Sequence, residues 1–160
     1  MKRFILLVGA ALGIACTGSA PAQLPHDALD AVAPVTAVIA AIKYDNAAAL
    51  SALYADDAVV VDEQAPFEWT GSDAGTQWFA ASRDWTKWSH RVAHFRATLA
   101  NVQVDDGSSS AYVVLAGTFS SADPKKPWQQ HGTLTFTLRK TGGRWKISSQ
   151  AWAQTFIAGH

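Results

Sequence analysis

Cysteine occurs once in the 160 residues, at Cys16. A lone thiol excludes a disulfide framework within the chain and a thiolate-rich zinc site. Charge of one sign is also missing, since 13 Lys and Arg balance 13 Asp and Glu. A neutral balance argues against a nucleic-acid binder, which must neutralise phosphates with a basic surface. The Lys125-Lys126 pair reads as a solvated turn and makes no such patch. The G-x-S-x-G elbow, the G-x-x-x-x-G-K loop and a G-x-G-x-x-G before a helix are all absent. Nucleotide cofactors therefore have no motif here, and no cofactor is expected. Hydrophobic residues make up 49% and charged residues 16%, which excludes a disordered chain. The length suits one domain.

The N-terminus reads as a secretory signal. Lys2 and Arg3 supply positive charge, Phe4 to Ala15 is an apolar run too short to span a bilayer comfortably, and Ala20-Pro21-Ala22 gives a cleavage pattern. Cleavage after Ala22 would leave a thiol-free domain over residues 23–160 with two more acidic than basic residues, suited to an oxidising compartment. Lipidation at Cys16 and an uncleaved anchor are the competing readings. Lipoprotein signals usually carry Leu where Gly13 stands. The Val35–Ile42 stretch spans only part of a bilayer, so no stable membrane insertion is expected after cleavage and the domain is placed in the periplasm or outside the cell.

Asp27 to Tyr44 is Ala-rich, with Val35, Val38, Ile39 and Ile42 at helical spacing. Pro34 either starts a helix or kinks a longer one. Asn46 is an N-cap for a short helix from Ala47 to Tyr54. Val59 to Val61 reads as a short strand. A loop carrying Phe67 and Trp69 follows, then a helix from Ser72 to about Arg83 with Trp78 and Phe79. Everything after Ser89 reads as strand: His90–Val104, Ala111–Ser120, Trp128–Arg139 and Arg144–Phe156. Asp105-Asp106-Gly107, the Ala122–Pro127 segment and Thr141-Gly142-Gly143 are the turns between them. Helices followed by antiparallel hairpins indicate an α+β fold of one domain.

Three segments carry a resemblance: Leu53 to Asp62 with its Tyr-Ala-Asp-Asp-Ala stretch, Thr70-Gly71 opening a helix with Trp78-Phe79, and Gly143 to Ile147 with Trp152. Together they resemble the nuclear transport factor 2-like superfamily, which includes ketosteroid isomerase, scytalone dehydratase and the SnoaL-like cyclases. The resemblance covers nearly all of residues 23–160. It implies N-terminal helices packed on a bent antiparallel sheet with a cone-shaped pocket between them.

By that resemblance Asp62 stands where ketosteroid isomerases carry their catalytic carboxylate. In an apolar, aromatic pocket a carboxylate has a raised pKa and can act as a general base. A solvated carboxylate at a strand end, beside Glu63, is the alternative. The isomerase's oxyanion donors are a Tyr from the first helix and an acid from a late strand. Those positions fall on Val38 and Thr135, which argues against steroid isomerisation. Side chains alternate along a strand, so His131, Thr133, Thr135 and Thr137 share a face. The resemblance turns that face into the cone, where His131 would meet Asp62 as a dyad; a partly exposed His beside Gln129 and Gln130 is the other reading.

Trp152 aligns to a pocket-lining position, on the face of Ser148 and Gln150, with Trp145 on the opposite row. Tyr54, Trp69 and Trp78 complete an aromatic lining, although core packing accounts equally for large aromatics. His90 and His94 lie about 13 Å apart if on a strand, too far to share a metal ion. Three functions follow as expectations. The first is an exported protein that binds a small apolar or aromatic molecule. The second is a cofactor-independent lyase or isomerase using Asp62 as base. The third is a homodimer paired through the convex sheet face.

Overall fold

The structure is a computed structural model that describes residues 25–88, 93–105, 107–121, 123, 125 and 127–155, with the side chains of residues 85–88 and 93 left aside. The signal segment, the side chains of Trp85 and Trp88, and His90 lie outside the described residues.

Helix α1 runs His26–Tyr44, and Pro34 sits inside it. Ala31, Val35, Val38 and Ala41 recur every three or four residues and are buried as one stripe. Asp45, in the left-handed conformation, ends the helix with its N–H on the Ala41 carbonyl. The Asn46 side chain then accepts from the Ala49 N–H and caps a single 3₁₀ turn, Ala47–Leu50. The expected second helix reaches no further than Leu50. The chain turns into strand β1 (Tyr54–Val61), which is longer than the expected Val59–Val61. Strand β2 (Glu68–Thr70) carries Trp69, and α2 spans Ala74–Trp88.

Four long strands complete the chain: β3 (Ala93–Val104), β4 (Ser110–Ser121), β5 (Gln129–Thr141) and β6 (Arg144–Gln154). Asp105 builds the β3–β4 turn by accepting from the Ser109 and Ser110 N–H groups. Gly142 and Gly143 both take positive φ, 57° and 76°, and close the β5–β6 hairpin tightly. The sheet order is β2-β1-β6-β5-β4-β3. β1 and β6 are parallel; the other pairings are antiparallel. Helix α1 lies on β3, β4 and β6, and α2 lies on β1 and β2. This is an α+β architecture with both helices on one side of a mixed six-stranded sheet.

Two bulges set which side chains face the helices. One extra residue, Ala100, interrupts the β3–β4 register between Leu99 and Asn101. Another, Ser148, interrupts β5–β6, where Thr137 opposes Ser149 and Leu138 opposes Ile147. On β5 the inward row is Gly132, Leu134, Phe136 and Leu138, all buried. His131, Thr133, Thr135 and Thr137 do share a face, as the alternation requires, but it is the outer one. On β6 the bulge brings both Ile147 and Gln150 inward and leaves Ser148 outward, its hydroxyl on the Thr137 carbonyl. Trp145, expected outward, pairs with Lys140 and packs against the core.

Candidate functional site

Alternation along β1 buries Ala58 and Val60 and carries the same inward facing on to Asp62. Val60 is level with Gln150 and Val61 with Ala151 in the parallel pairing to β6, so Asp62 continues towards the level of Trp152. Asp62 is 7% exposed. Its carboxylate accepts from Trp78 Nε1 at 2.7 Å and from the Gln64 backbone N–H at 3.2 Å. Loss of water raises the Asp62 pKa above its ordinary value; the two hydrogen bonds oppose that rise without cancelling it.

The sequence fixes this geometry locally. The Asp62 N–H donates to the Phe67 carbonyl and the Phe67 N–H to the Gln64 carbonyl, folding residues 62–67 into a closed loop. Phe67 stands at φ 75°, a strained value for a non-glycine residue. β2 then returns beside β1, pairing Trp69 with Val60, so Trp69 faces inward. Next, α2 brings Trp78 over Asp62. Tyr54, at the start of β1, lies against α2 at Gly75: a Cβ on that glycine would come within 2.0 Å of the tyrosine ring. The Tyr54 hydroxyl donates to Gln150 Oε1 at 2.5 Å. Burial pushes the Tyr54 phenol well above its ordinary range, so it stays a donor. Gln150 Nε2 is buried with no hydrogen-bond partner.

Trp152 lies over the glycine pair Gly117 and Gly132, which oppose each other across β4 and β5. Its ring meets Phe119 edge-on at 5.2 Å and Phe95 at 6.3 Å. These aromatics form a wall on the inner face of β3, β4 and β6. At the same end, Gln130 Nε2 donates to Glu63 Oε1 at 2.6 Å and to Gln154 Oε1 at 3.0 Å, a polar rim. Phe95, Phe119, Gln64 and this rim are additions to the sequence reading. The signal for the wall was two glycines inside strands, which mark a close approach.

The structure pairs Asp62 with Trp78 and Tyr54 with Gln150, and buries Trp69 and Trp152 on the same inner side of the sheet. It does not bring His131 to Asp62. That histidine is exposed on the outer face, 3.1 Å from the Thr118 hydroxyl. Thr133, Thr135 and Ser148 are outward too, because the inward row of β5 is one residue out of step with the expected one and β6 carries the bulge. At the expected acid position the inward neighbours of Thr135 are Leu134 and Phe136, so the place is apolar on either count. Val38 is buried in the α1 stripe. His94 is exposed on β3. Two surface hollows lie away from the Asp62–Trp78 pair. One lies between α1 and the β3–β4 turn, the other over Tyr112 and Thr137. Neither includes Asp62. No helix among the described residues is long and apolar enough to cross a membrane.

The SnoaL-like domain model matches residues 32–153. No curated protein matches this chain. Among solved structures it is similar to a ketosteroid isomerase-like protein from Erwinia carotovora atroseptica SCRI1043, with TM-score 0.66, 17% identity, and coverage of 84% of this chain and 100% of that one. It is also similar to an NTF2-like protein of unknown function from Pseudomonas putida KT2440, with TM-score 0.62, 17% identity and 82% and 88% coverage. An uncharacterised cystatin-like protein from Caulobacter vibrioides gives TM-score 0.63, 16% identity and 81% and 91% coverage. At such identities the likeness is one of fold. The match across residues 32–153, on an α+β fold with helices over one face of a bulged sheet, makes this chain a member of the SnoaL-like family within the NTF2-like superfamily.

Proposed function

We propose that the chain binds a small apolar or aromatic molecule against the inner sheet face, between the Asp62–Trp78 pair and Trp152. The observation that carries this is a buried carboxylate held by an indole N–H on the same sheet face as an aromatic wall. A buried charge is costly and is kept where it serves recognition or chemistry. The wall offers flat apolar surface and Asp62 a single strong acceptor. Titration of aromatic ligands against tryptophan fluorescence tests the reading. Saturable quenching that weakens in Trp152→Leu supports it. No saturable change across an aromatic panel, with no small molecule retained in native mass spectrometry, overturns it.

A second reading gives Asp62 a proton-transfer role in a cofactor-independent isomerase or lyase. Its raised pKa favours this, since a base is most effective when its pKa approaches the working pH. Asp62→Asn retaining full turnover of any substrate found would refute it. In either reading the domain of residues 23–160 is exported after loss of residues 1–22, and mass spectrometry of the native N-terminus decides that point. A lipid on Cys16 or an intact Met1 would refute it. The domain also forms a homodimer through the outer sheet face, where Val114, Ala116, Thr133, Thr135 and Ala151 make a shallow surface of small side chains.

A further inference from the structure

We propose that Gln150 recognises an uncharged acceptor oxygen of the carbonyl type on the molecule bound beside Asp62; this rests on the binding reading above. Gln150 is 1% exposed, and its amide is half used. Oε1 takes the Tyr54 hydroxyl, while Nε2 has no partner. A buried amide donor left bare costs about 1–3 kcal/mol, and buried polar groups are nearly always paired. The unused donor is therefore a standing cost that a ligand oxygen would remove.

The amide is anchored. Tyr54 is 2% exposed and wedged against Gly75, so its hydroxyl holds one end of the amide in place. With Oε1 on that hydroxyl, Nε2 is the end left bare, and the anchored side chain lowers the entropy cost of binding.

Position and charge narrow the ligand further. Gln150 is level with Val60 on the neighbouring strand, and Asp62 lies two residues beyond Val60. Strand spacing and rise put the two α-carbons about 8 Å apart, roughly the length of a fused bicyclic ring. Apart from the aromatic residues, Asp62 and Gln150 are the buried polar side chains among the described residues, and none of the buried groups is a cation. A carboxylate ligand would face Asp62 with no compensating positive charge, whereas a ketone oxygen would accept from Nε2 without that penalty.

Three probes of similar shape test this by fluorescence titration of the mature protein at neutral pH: 2-acetylnaphthalene, 2-isopropenylnaphthalene and 2-naphthoate. The ketone is expected to bind about tenfold tighter than the alkene, with naphthoate the weakest, as one buried hydrogen bond gained would give. Gln150→Met should erase the preference for the ketone and leave the alkene's affinity within about threefold. Because Gln150→Met strands the Tyr54 hydroxyl, Tyr54→Phe/Gln150→Met, which removes both polar partners, is measured beside it. Equal binding of ketone and alkene by the wild type overturns the inference and leaves the binding reading standing. So does a ketone preference that survives in both variants, or naphthoate binding tightest. If the wild type binds none of the three probes, the inference falls together with the site for flat aromatic molecules.

Discussion

The contact of Trp152 with Gly132 gives the most quantitative test of the inner face. A Cβ on Gly132 would sit 2.4 and 2.5 Å from ring carbons of Trp152 and 2.6 Å from the Ala153 carbonyl oxygen. Each distance is well inside van der Waals contact. The indole is hemmed in by Phe119 and by the backbone at Gly117, where a Cβ would stand 2.8 Å from the ring. The Ala153 carbonyl belongs to the strand paired with β5. Gly132→Ala must therefore displace either the ring or the β5–β6 ladder. Overpacking of this kind costs about 1–3 kcal/mol, and the upper end is expected here. For a domain of this size that lowers Tm by roughly 6–15 °C, taking about 2–5 °C per kcal/mol. Calorimetry and urea unfolding measure it, with Gly117→Ala as a second case. In a Trp152→Leu background the ring clash is absent and only the carbonyl clash remains. The penalty of Gly132→Ala should then fall by at least about 1 kcal/mol, the coupling expected of touching residues. Strictly additive effects, or a Gly132→Ala protein as stable as the wild type, would show that the indole does not lie over this glycine.

Asp62 should make stability depend on pH in the reverse of the usual carboxylate sense. Its folded pKa lies above the unfolded value of 3.8, so the folded state holds the proton more tightly. Stability is then fullest below the unfolded pKa and falls as pH rises through the folded one, by about 1.4 kcal/mol for each unit between the two. Asp62→Asn should remove this slope and be the more stable protein at neutral pH; a wild type that gains on the variant as pH rises would reverse the assignment. Trp78→Phe deletes the indole donor, so the Asp62 pKa should climb further, read by carboxyl-carbon NMR titration. Tyr54→Phe strands the Gln150 oxygen and should cost about 1–3 kcal/mol in urea unfolding, with loss of under about 0.3 kcal/mol arguing against a buried bond. Thr135→Glu should dissociate the proposed dimer in analytical ultracentrifugation, and an unchanged dimer would place its interface elsewhere.

Local rules carried the strand half of the molecule a long way. The four long strands, the Asp105 turn and the Gly142-Gly143 hairpin follow from alternation and turn chemistry, and each is present with ends shifted by a few residues at most. Asn46 caps as its type suggests. Tyr54 falls at the end of the helix that the Asn46 cap leads one to expect, yet it opens β1. The acidic pair Asp56-Asp57 masked the strand that begins there: it falls in the irregular stretch of β1 between Tyr54 and Val59, where simple alternation fails. Alternation gave the right company for His131 but not its side of the sheet. Which side is inward depends on contacts with helices far away in sequence, and no local pattern reports those. Within β6 the error had a different source. Counting by twos from Trp152 reaches Gln150 correctly and then fails at Ser148, because a bulge leaves little mark in composition.

That extra residue at Ser148 gives β6 two phases. Before it, odd-numbered side chains (Trp145 and Ile147) look toward the helices; after it, even-numbered ones (Gln150 and Trp152) do. A single strand thereby delivers four bulky or polar groups to one side although two stand at odd and two at even positions, which one unbroken parity could not do. The local twist that a bulge adds also curls the sheet around what those groups enclose. The strand's response to a change of length therefore depends on where the change falls. Removing Ser148 would leave Trp145, Ile147, Gln150 and Trp152 at every second position, so all four would keep their side and only the twist added by the bulge would be lost. Removing Ala151 instead would put Trp152 out of phase with Gln150 and turn its indole to the outer face. A lost residue is tolerable at the bulge and costly two or three positions further on.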